Sequence, residues 1–126
     1  MANRKKKSIL CIDDVSEDLR TIKTILEDDY TIRLAKSGEL AKSILNSIVV
    51  DLILLDIEMP DISGFEYVEW LKKNPYTKHI PVIFISSHSK PEIVKHAKQF
   101  DIKGYIKKPI DPNLLRQRVR GVLDKK

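Results

Sequence analysis

The chain is short of several things. It has a single cysteine, Cys11, so no internal disulfide can form. That usage suits a reducing compartment and sets the expectation of a cytoplasmic protein. No apolar run approaches the ~20 residues of a membrane span. The stretch after the basic start, Ile9 to Ile12, is too short for the core of a signal peptide. Glycine is scarce and scattered, at Gly38, Gly64, Gly104 and Gly121, so there is no glycine-rich loop to cradle a phosphate. The excess of positive charge is confined to the ends. Arg4, Lys5, Lys6 and Lys7, with Asp124-Lys125-Lys126, account for the whole net charge of +5 and leave residues 8–123 neutral. Terminal lysine runs of this kind are solvated ends, so no direct nucleic-acid binding is expected. The reading is a basic disordered tail over 1–7, one domain over 8–123 and a short tail over 124–126. A length of 126 residues is enough for one real core and has no room for a second domain of ordinary size.

Within 8–123 the apolar residues fall into two patterns. Ser8–Ile12, Asp51–Leu55 and Pro81–Ile85 are short continuous runs that end in Asp13-Asp14, Asp56 and Ser86-Ser87. Continuous runs of this length read as strands buried on both faces, as in a parallel sheet covered by helices. Tyr30–Ala35 and Gly104–Ile106 are weaker strands. Between them, apolar residues recur three and four apart: Leu19, Ile22, Ile25 and Leu26; Ala41, Ile44, Leu45 and Ile48; Phe65, Val68 and Leu71; Ile93, Val94 and Ala97; Leu114, Leu115, Val119 and Val122. Each set is one face of a surface helix. Ser16, Ser37, Ser89 and Asp111 stand where caps belong, and Pro112 suits a first helical position. Strand and helix alternate five times, which predicts right-handed crossovers and a doubly wound α/β fold with helices on both faces.

Ligands in such folds bind beyond the carboxyl ends of the strands. That rule gathers Asp13, Asp14, Asp56, Ser86 and the segment Lys107-Lys108-Pro109 at one crevice. Three carboxylates at close range repel one another and call for a cation. Oxygen ligands open to solvent suit Mg2+. Metal and lysine together are what a phosphoryl group needs, and a carboxylate beside them can accept it as an acyl phosphate.

With these residues in place, the sequence resembles the receiver domain of bacterial two-component response regulators, of the chemotaxis-regulator-like single-domain kind. The resemblance covers about 8–123. It rests on Asp13-Asp14, on Asp56-Ile57-Glu58-Met59-Pro60 with Gly64, on Pro81 through Ser86-Ser87, and on Tyr105-Ile106-Lys107-Lys108-Pro109. It implies a flavodoxin-like fold of five βα units with strand order 2-1-3-4-5. It further implies Asp56 as phosphoacceptor; Asp13, Asp14, Asp56 and the backbone carbonyl of Glu58 as Mg2+ ligands; and Lys108 as partner of Asp56 and of the phosphoryl oxygens. Ser86 would be the hydroxyl switch residue and Tyr105 the aromatic one, and a cis Lys108–Pro109 bond is frequent in the family. The implied donor is a sensor histidine kinase or a histidine phosphotransfer protein. The implied output is a changed face of the fourth helix, fifth strand and fifth helix, read by a downstream protein target.

Plainer readings stand beside these. Asp13 is also placed to cap the first helix. Glu58 and His88, two positions beyond Asp56 and Ser86, either tune the phosphate lifetime or are simply solvated. Strand alternation points Lys107 and Lys108 in opposite directions, and Lys108 precedes the proline as in the family. Tyr105 reads as a switch residue over half-buried packing, Trp70 as packing or cover, and Cys11 as core. Arg116, Arg118 and Arg120 spread around a helix as a solvated face. One rival function is an aspartyl phosphatase, but Glu58 replaces the second aspartate of its Asp-x-Asp pair. Another is a receiver cut from a longer regulator with a DNA-binding or enzymatic output domain, and a third is a phosphorylation-independent pseudo-receiver. Lys103-Gly104 stands where one large regulator class carries acidic dimer residues, which leaves oligomeric state open, a homodimer included.

Overall fold

The computed structural model describes residues 6–88 and 91–124. Strands β1 (Ser8–Ile12), β2 (Thr31–Ala35), β3 (Leu52–Asp56), β4 (Val82–Ser86) and β5 (Gly104–Lys107) alternate with helices α1 (Ser16–Leu26), α2 (Gly38–Ser47), α3 (Gly64–Lys73), α4 (Pro91–Gln99) and α5 (Pro112–Leu123). All strand pairs are parallel and the order is β2-β1-β3-β4-β5. Fold class and strand order are as expected. Two strands begin one residue later than the apolar runs do. Asp51 turns its carboxylate to the Ser8 N–H at 2.8 Å instead of joining β3, and Pro81 has no N–H to give β4. Among the described residues, no helix is long and apolar enough to cross a membrane.

Strand alternation divides the core into two layers. Leu10, Ile12, Ile53, Leu55, Val82 and Phe84 pack with Ala41, Tyr67, Val68, Leu71 and Ile93, so this layer lies under α2, α3 and α4. Ile9, Cys11, Leu52, Leu54, Ile83, Ile85 and Ile106 pack with Leu19, Ile22, Leu26, Leu115 and Val119 under α1 and α5. Cys11 is a core residue, and burial pushes its thiol pKa up. Trp70 is partly buried against the first layer, beside Tyr67 and beneath the Lys42 ammonium, 4.7 Å from its ring.

The helix starts follow the caps in part. The Ser37 hydroxyl accepts from Leu40 N–H at 3.1 Å, and Asp111 accepts from Asn113 N–H at 3.0 Å with Pro112 in the first turn. Ser89 lies outside the described residues. Ser16 does not cap α1. Val15 occupies that position and has no side-chain oxygen to cap with; Asp13 Oδ1 accepts the Val15 N–H itself at 2.9 Å. Ser63, unforeseen, caps α3 through Phe65 N–H at 3.1 Å. At the ends, Lys6 Nζ donates to Glu27 O at 3.3 Å, Lys7 O accepts Thr31 N–H at 2.9 Å and Lys7 Nζ bonds to Leu123 O, so both lysines already contact the domain. Asp124 caps α5.

The loop from β3 to α3 folds back on itself. Gly64 N–H donates to Ile57 O at 3.1 Å, and a Cβ at Gly64 would lie 2.4 Å from Ile57 Cα. Gly121, in α5, has nothing within 4 Å of where its Cβ would stand. Gly64→Ala is therefore expected to lower stability by about 1–3 kcal/mol through overpacking. Gly121→Ala is expected to raise it by up to ~1 kcal/mol through helix propensity. Urea unfolding midpoints of the two variants check the opposite signs.

Candidate functional site

Parallel pairing brings every strand's carboxyl end to one edge of the sheet. Ile12 is in register with Leu55, so Asp13 and Asp56 leave adjacent strands side by side. Both are buried, at 1% and 3% exposure, so two carboxylates face each other with little water to screen them. Asp14 is half-buried beside them, and one carboxylate oxygen from each of the three lies within 4.8 Å of the others. Lys108 follows β5 and turns inward, whereas Lys107 is exposed. The Lys108 backbone N–H donates to Ser86 O at 2.8 Å, and the Lys108–Pro109 peptide is cis. Its ammonium lies 3.5 Å from Asp56 Oδ2, 2.9 Å from Asp13 Oδ2 and 2.8 Å from Asp18 Oδ2.

The charges are unevenly served. Asp56 Oδ1 accepts Glu58 N–H at 2.9 Å. Asp13 Oδ1 is taken by Val15 N–H, so Asp13 does part of the capping work and still offers its second oxygen to the pocket. That oxygen, Oδ2, is fully buried and has no hydrogen-bond donor; Lys108 stands at ion-pair distance without donor geometry. An orphaned buried carboxylate oxygen beside two more carboxylates fits a hard divalent cation. Burial pushes the Asp56 carboxyl up to about 7; the Glu58 N–H opposes the rise, Asp13 adds to it, and Lys108 opposes it. Burial alone would lower the Lys108 ammonium pKa, but Asp18, Asp13 and Asp56 overcome that and hold it above its ordinary value.

Ser86 stands two residues beyond Phe84 on β4, so alternation turns it toward the α3–α4 layer and away from Asp56. Its hydroxyl has one proton and two acceptors within reach, Glu58 Oε1 at 3.2 Å and His88 O at 3.0 Å. Glu58 Oε1 also accepts Ser87 N–H at 3.1 Å, and Glu58 Oε2 pairs with His88 Nδ1. Burial would raise the Glu58 pKa, but the bonds from Ser87, His88 and Ser86 outweigh it and lower the value. The Tyr105 hydroxyl donates to His88 O at 2.7 Å from a half-buried ring. The structure thus gathers the sequence-selected residues into two linked groups: Asp13, Asp14, Asp56 and Lys108 in the pocket, and Glu58, Ser86, His88 and Tyr105 at its rim. Asp18 was missed. Its signal was an acidic residue in the first turn of the helix that follows the Asp13-Asp14 strand end.

Fold and site define a doubly wound α/β domain with an acidic pocket and an inward lysine at the strand ends, and family membership rests on comparison. The model of the response regulator receiver domain matches residues 9–120, and the chain belongs to that family. It is a receiver domain of two-component signalling. It is 37% identical, over its full length, to a probable cyclic di-GMP phosphodiesterase of Vibrio cholerae. It is 30% identical over 105 residues to the polar-differentiation response regulator DivK of Brucella ovis, 82% of this chain and 85% of that one. The chain spans 29% of the length of the phosphodiesterase and 9% of that of a Formosa agariphila histidine kinase to which it is 28% identical. Among solved structures, Vibrio cholerae chemotaxis protein CheY4 superposes with a TM-score of 0.87 at 25% identity, covering 94% of this chain and 99% of that one.

The raised pKa of Asp56 fixes a sign. Between its ordinary 3.8 and about 7, the folded protein holds a proton that the unfolded chain has released. This group's contribution to stability therefore falls as pH rises through that window. In metal-free buffer, Asp56→Asn is expected to be more stable than the parent at about pH 8, with the gap closing toward about pH 4. Urea midpoints across that range check it.

Proposed function

We propose that the chain takes a phosphoryl group on Asp56 from a histidine kinase or histidine phosphotransfer protein, and that the modification changes a protein-binding surface. The observation that carries this reading is the convergence of Asp56, Asp13 and Asp14 with the Lys108 ammonium at one sheet edge. An oxygen of Asp56 attacks phosphorus while the P–N bond of the donor phosphohistidine breaks and the imidazole nitrogen keeps the electron pair. Lys108 stands where it can neutralise a phosphoryl oxygen. Asp13, Asp14, Asp56 and the Glu58 carbonyl would hold Mg2+, which supplies charge neutralisation for the incoming phosphoryl group and favours the ionised carboxylate. In hydrolysis, water attacks phosphorus and the P–O bond to Asp56 breaks.

The switch reading rests on the rim. A phosphoryl group on Asp56 brings roughly −1.5 to −2 charge and three acceptors. One of those acceptors competes with Glu58 and His88 O for the single Ser86 proton. Drawing Ser86 inward releases its bond to His88 O, the same carbonyl that holds the Tyr105 hydroxyl. Tyr105 then has room to move, and the α4–β5–α5 face changes for a partner. This is a shift between states, bounded by how much better the phosphoryl group suits one of them. Glu58 and His88 set the lifetime of the acyl phosphate by holding Ser86 and by lying near the path of attacking water.

A second reading has its own observation. Full-length similarity to a region making up 29% of a probable cyclic di-GMP phosphodiesterase favours a receiver that governs an enzymatic output, whether on the same chain or on a partner.

Acetyl phosphate with Mg2+ is expected to label the parent with an acid-labile phosphate and to leave Asp56→Asn unlabelled; full labelling of the variant would sink the assignment. Glu58→Ala is expected to lengthen the acyl-phosphate half-life several-fold, because it frees Ser86 and removes a proton acceptor for water. Unchanged loss of label after removal of the donor would refute the lifetime role.

A further inference from the structure

The Lys108 ammonium is closer to a carboxylate outside the sequence-selected site than to the acceptor itself. Asp18 Oδ2 is 2.8 Å away and Asp56 Oδ2 is 3.5 Å away. Asp18 sits in the first turn of α1, where an acidic residue commonly serves the helix dipole or folds back to the N-cap N–H. Neither duty explains the contact. The N-cap N–H, that of Val15, is already taken by Asp13 Oδ1. Glu17, in the same turn, is exposed and supplies charge for the dipole. Asp18 instead turns across to the segment after β5. Its side chain is 29% exposed against 2% for Asp13 and 4% for Asp56, so it is the one hydrated carboxylate of the three around the ammonium. A hydrated carboxylate keeps its full charge at little cost.

We infer that Asp18 is a positioning residue that shares Lys108 with Asp56, holding the ammonium toward α1 and restraining its engagement with a phosphoryl group on the acceptor. The inference rests on the receiver chemistry proposed above. A lysine has a long, flexible stem, and its ammonium divides its charge among the carboxylates in reach: here an ion pair to Asp18 and a longer hydrogen bond to Asp56. Lys108 must then leave Asp18, in part or wholly, when acceptor oxygens appear at Asp56. Removing Asp18 removes the competitor and leaves Lys108 closer to the acceptor.

The test compares Asp18→Asn, Asp18→Glu and Glu17→Gln in the full chain. Glu17→Gln deletes the same charge from the same helical turn without touching Lys108, so it reports the general field. In the metal-free protein, the Lys108 ammonium resonance, assigned with Lys108→Arg, is expected to shift in Asp18→Asn and to stay in place in Glu17→Gln. With Mg2+ and beryllofluoride, an acyl-phosphate mimic, Asp18→Asn is expected to bind about three- to fivefold more tightly than the parent, the scale of a part-exposed ion pair. Asp18→Glu is expected to return toward the parent value. An unmoved lysine resonance in Asp18→Asn overturns the inference. So does an equal gain in Glu17→Gln, or weaker beryllofluoride binding in Asp18→Asn. If the parent itself takes up no beryllofluoride, the receiver chemistry fails, and the lysine resonance still decides whether Asp18 holds Lys108.

Discussion

One ammonium facing several carboxylates is the arrangement on which the functional end of this molecule depends. Asp13 and Asp56 are buried side by side because a parallel sheet offers adjacent strand ends no other geometry. Two buried carboxylates at that range cannot both ionise cheaply, and removing their counter-charge would leave the repulsion uncompensated. Lys108 meets that need from β5, the far edge strand, so the pocket is complete only when the last βα unit has docked. The charge arrangement thereby ties the first, third and fifth strands together across the whole sheet.

The two-residue period of a strand explains why chemistry and response lie on different sides of the same edge. Asp13 and Asp56 continue the series of Ile9 and Cys11, and of Leu52 and Leu54, whose side chains face α1 and α5. Ser86 and Tyr105 belong with Phe84, whose side chain faces α3 and α4. The modification of Asp56 proposed above would therefore have to be relayed across the sheet edge to reach Ser86 and Tyr105. The β3–α3 loop makes the crossing: Glu58 gives its backbone N–H to Asp56 and its carboxylate to Ser86, Ser87 and His88. The tight return of that loop at Gly64, where a side chain would strike Ile57, keeps Glu58 in reach of both groups.

Much of this could be read from the sequence because strand ends are legible. An apolar run that stops at an aspartate marks both the element and the residue it delivers, so the pocket residues followed from Ile12-Asp13-Asp14, Leu55-Asp56 and Ile85-Ser86. Alternation set Lys107 and Lys108 in opposite directions, and the choice of Lys108 rested on its place before Pro109, as in the receiver family. What the sequence could not show depended on partners distant along the chain. Ser16 looks like a cap until the helix is found to begin at Ser16 itself, with Val15 at the cap position. Ser63 looks like a loop serine until the β3–α3 loop is closed. Asp18 looks like a helix-dipole acid until β5 brings Lys108 against it, some ninety positions later in the sequence. Glu58 and His88 are adjacent only because β3 and β4 are paired.

The relatives sharpen what this edge has to accomplish. The matched region is most of DivK and under a third of the phosphodiesterase, so a domain similar to this one occurs nearly alone or as one part of a larger protein. If the proposed phosphotransfer holds, the pocket carboxylates at the strand ends serve any donor alike, and specificity for a donor or an output would have to come from surface residues whose positions depend on the pocket's state. A coupling of that kind is limited by the contacts that differ between the two states. At the rim, the hydrogen bonds of the described residues that an inward move of Ser86 would change are few: its single proton shared between Glu58 and His88 O, the His88 N–H that its oxygen accepts at 3.0 Å, and the Tyr105 hydroxyl on that same His88 carbonyl. Exchanging so few hydrogen bonds is worth only a few kcal/mol, at about 0.5–1.5 kcal/mol for a neutral bond and more where a charge takes part. On the proposed phosphorylation of Asp56, a domain built this way would bias a partner's choice without dictating it.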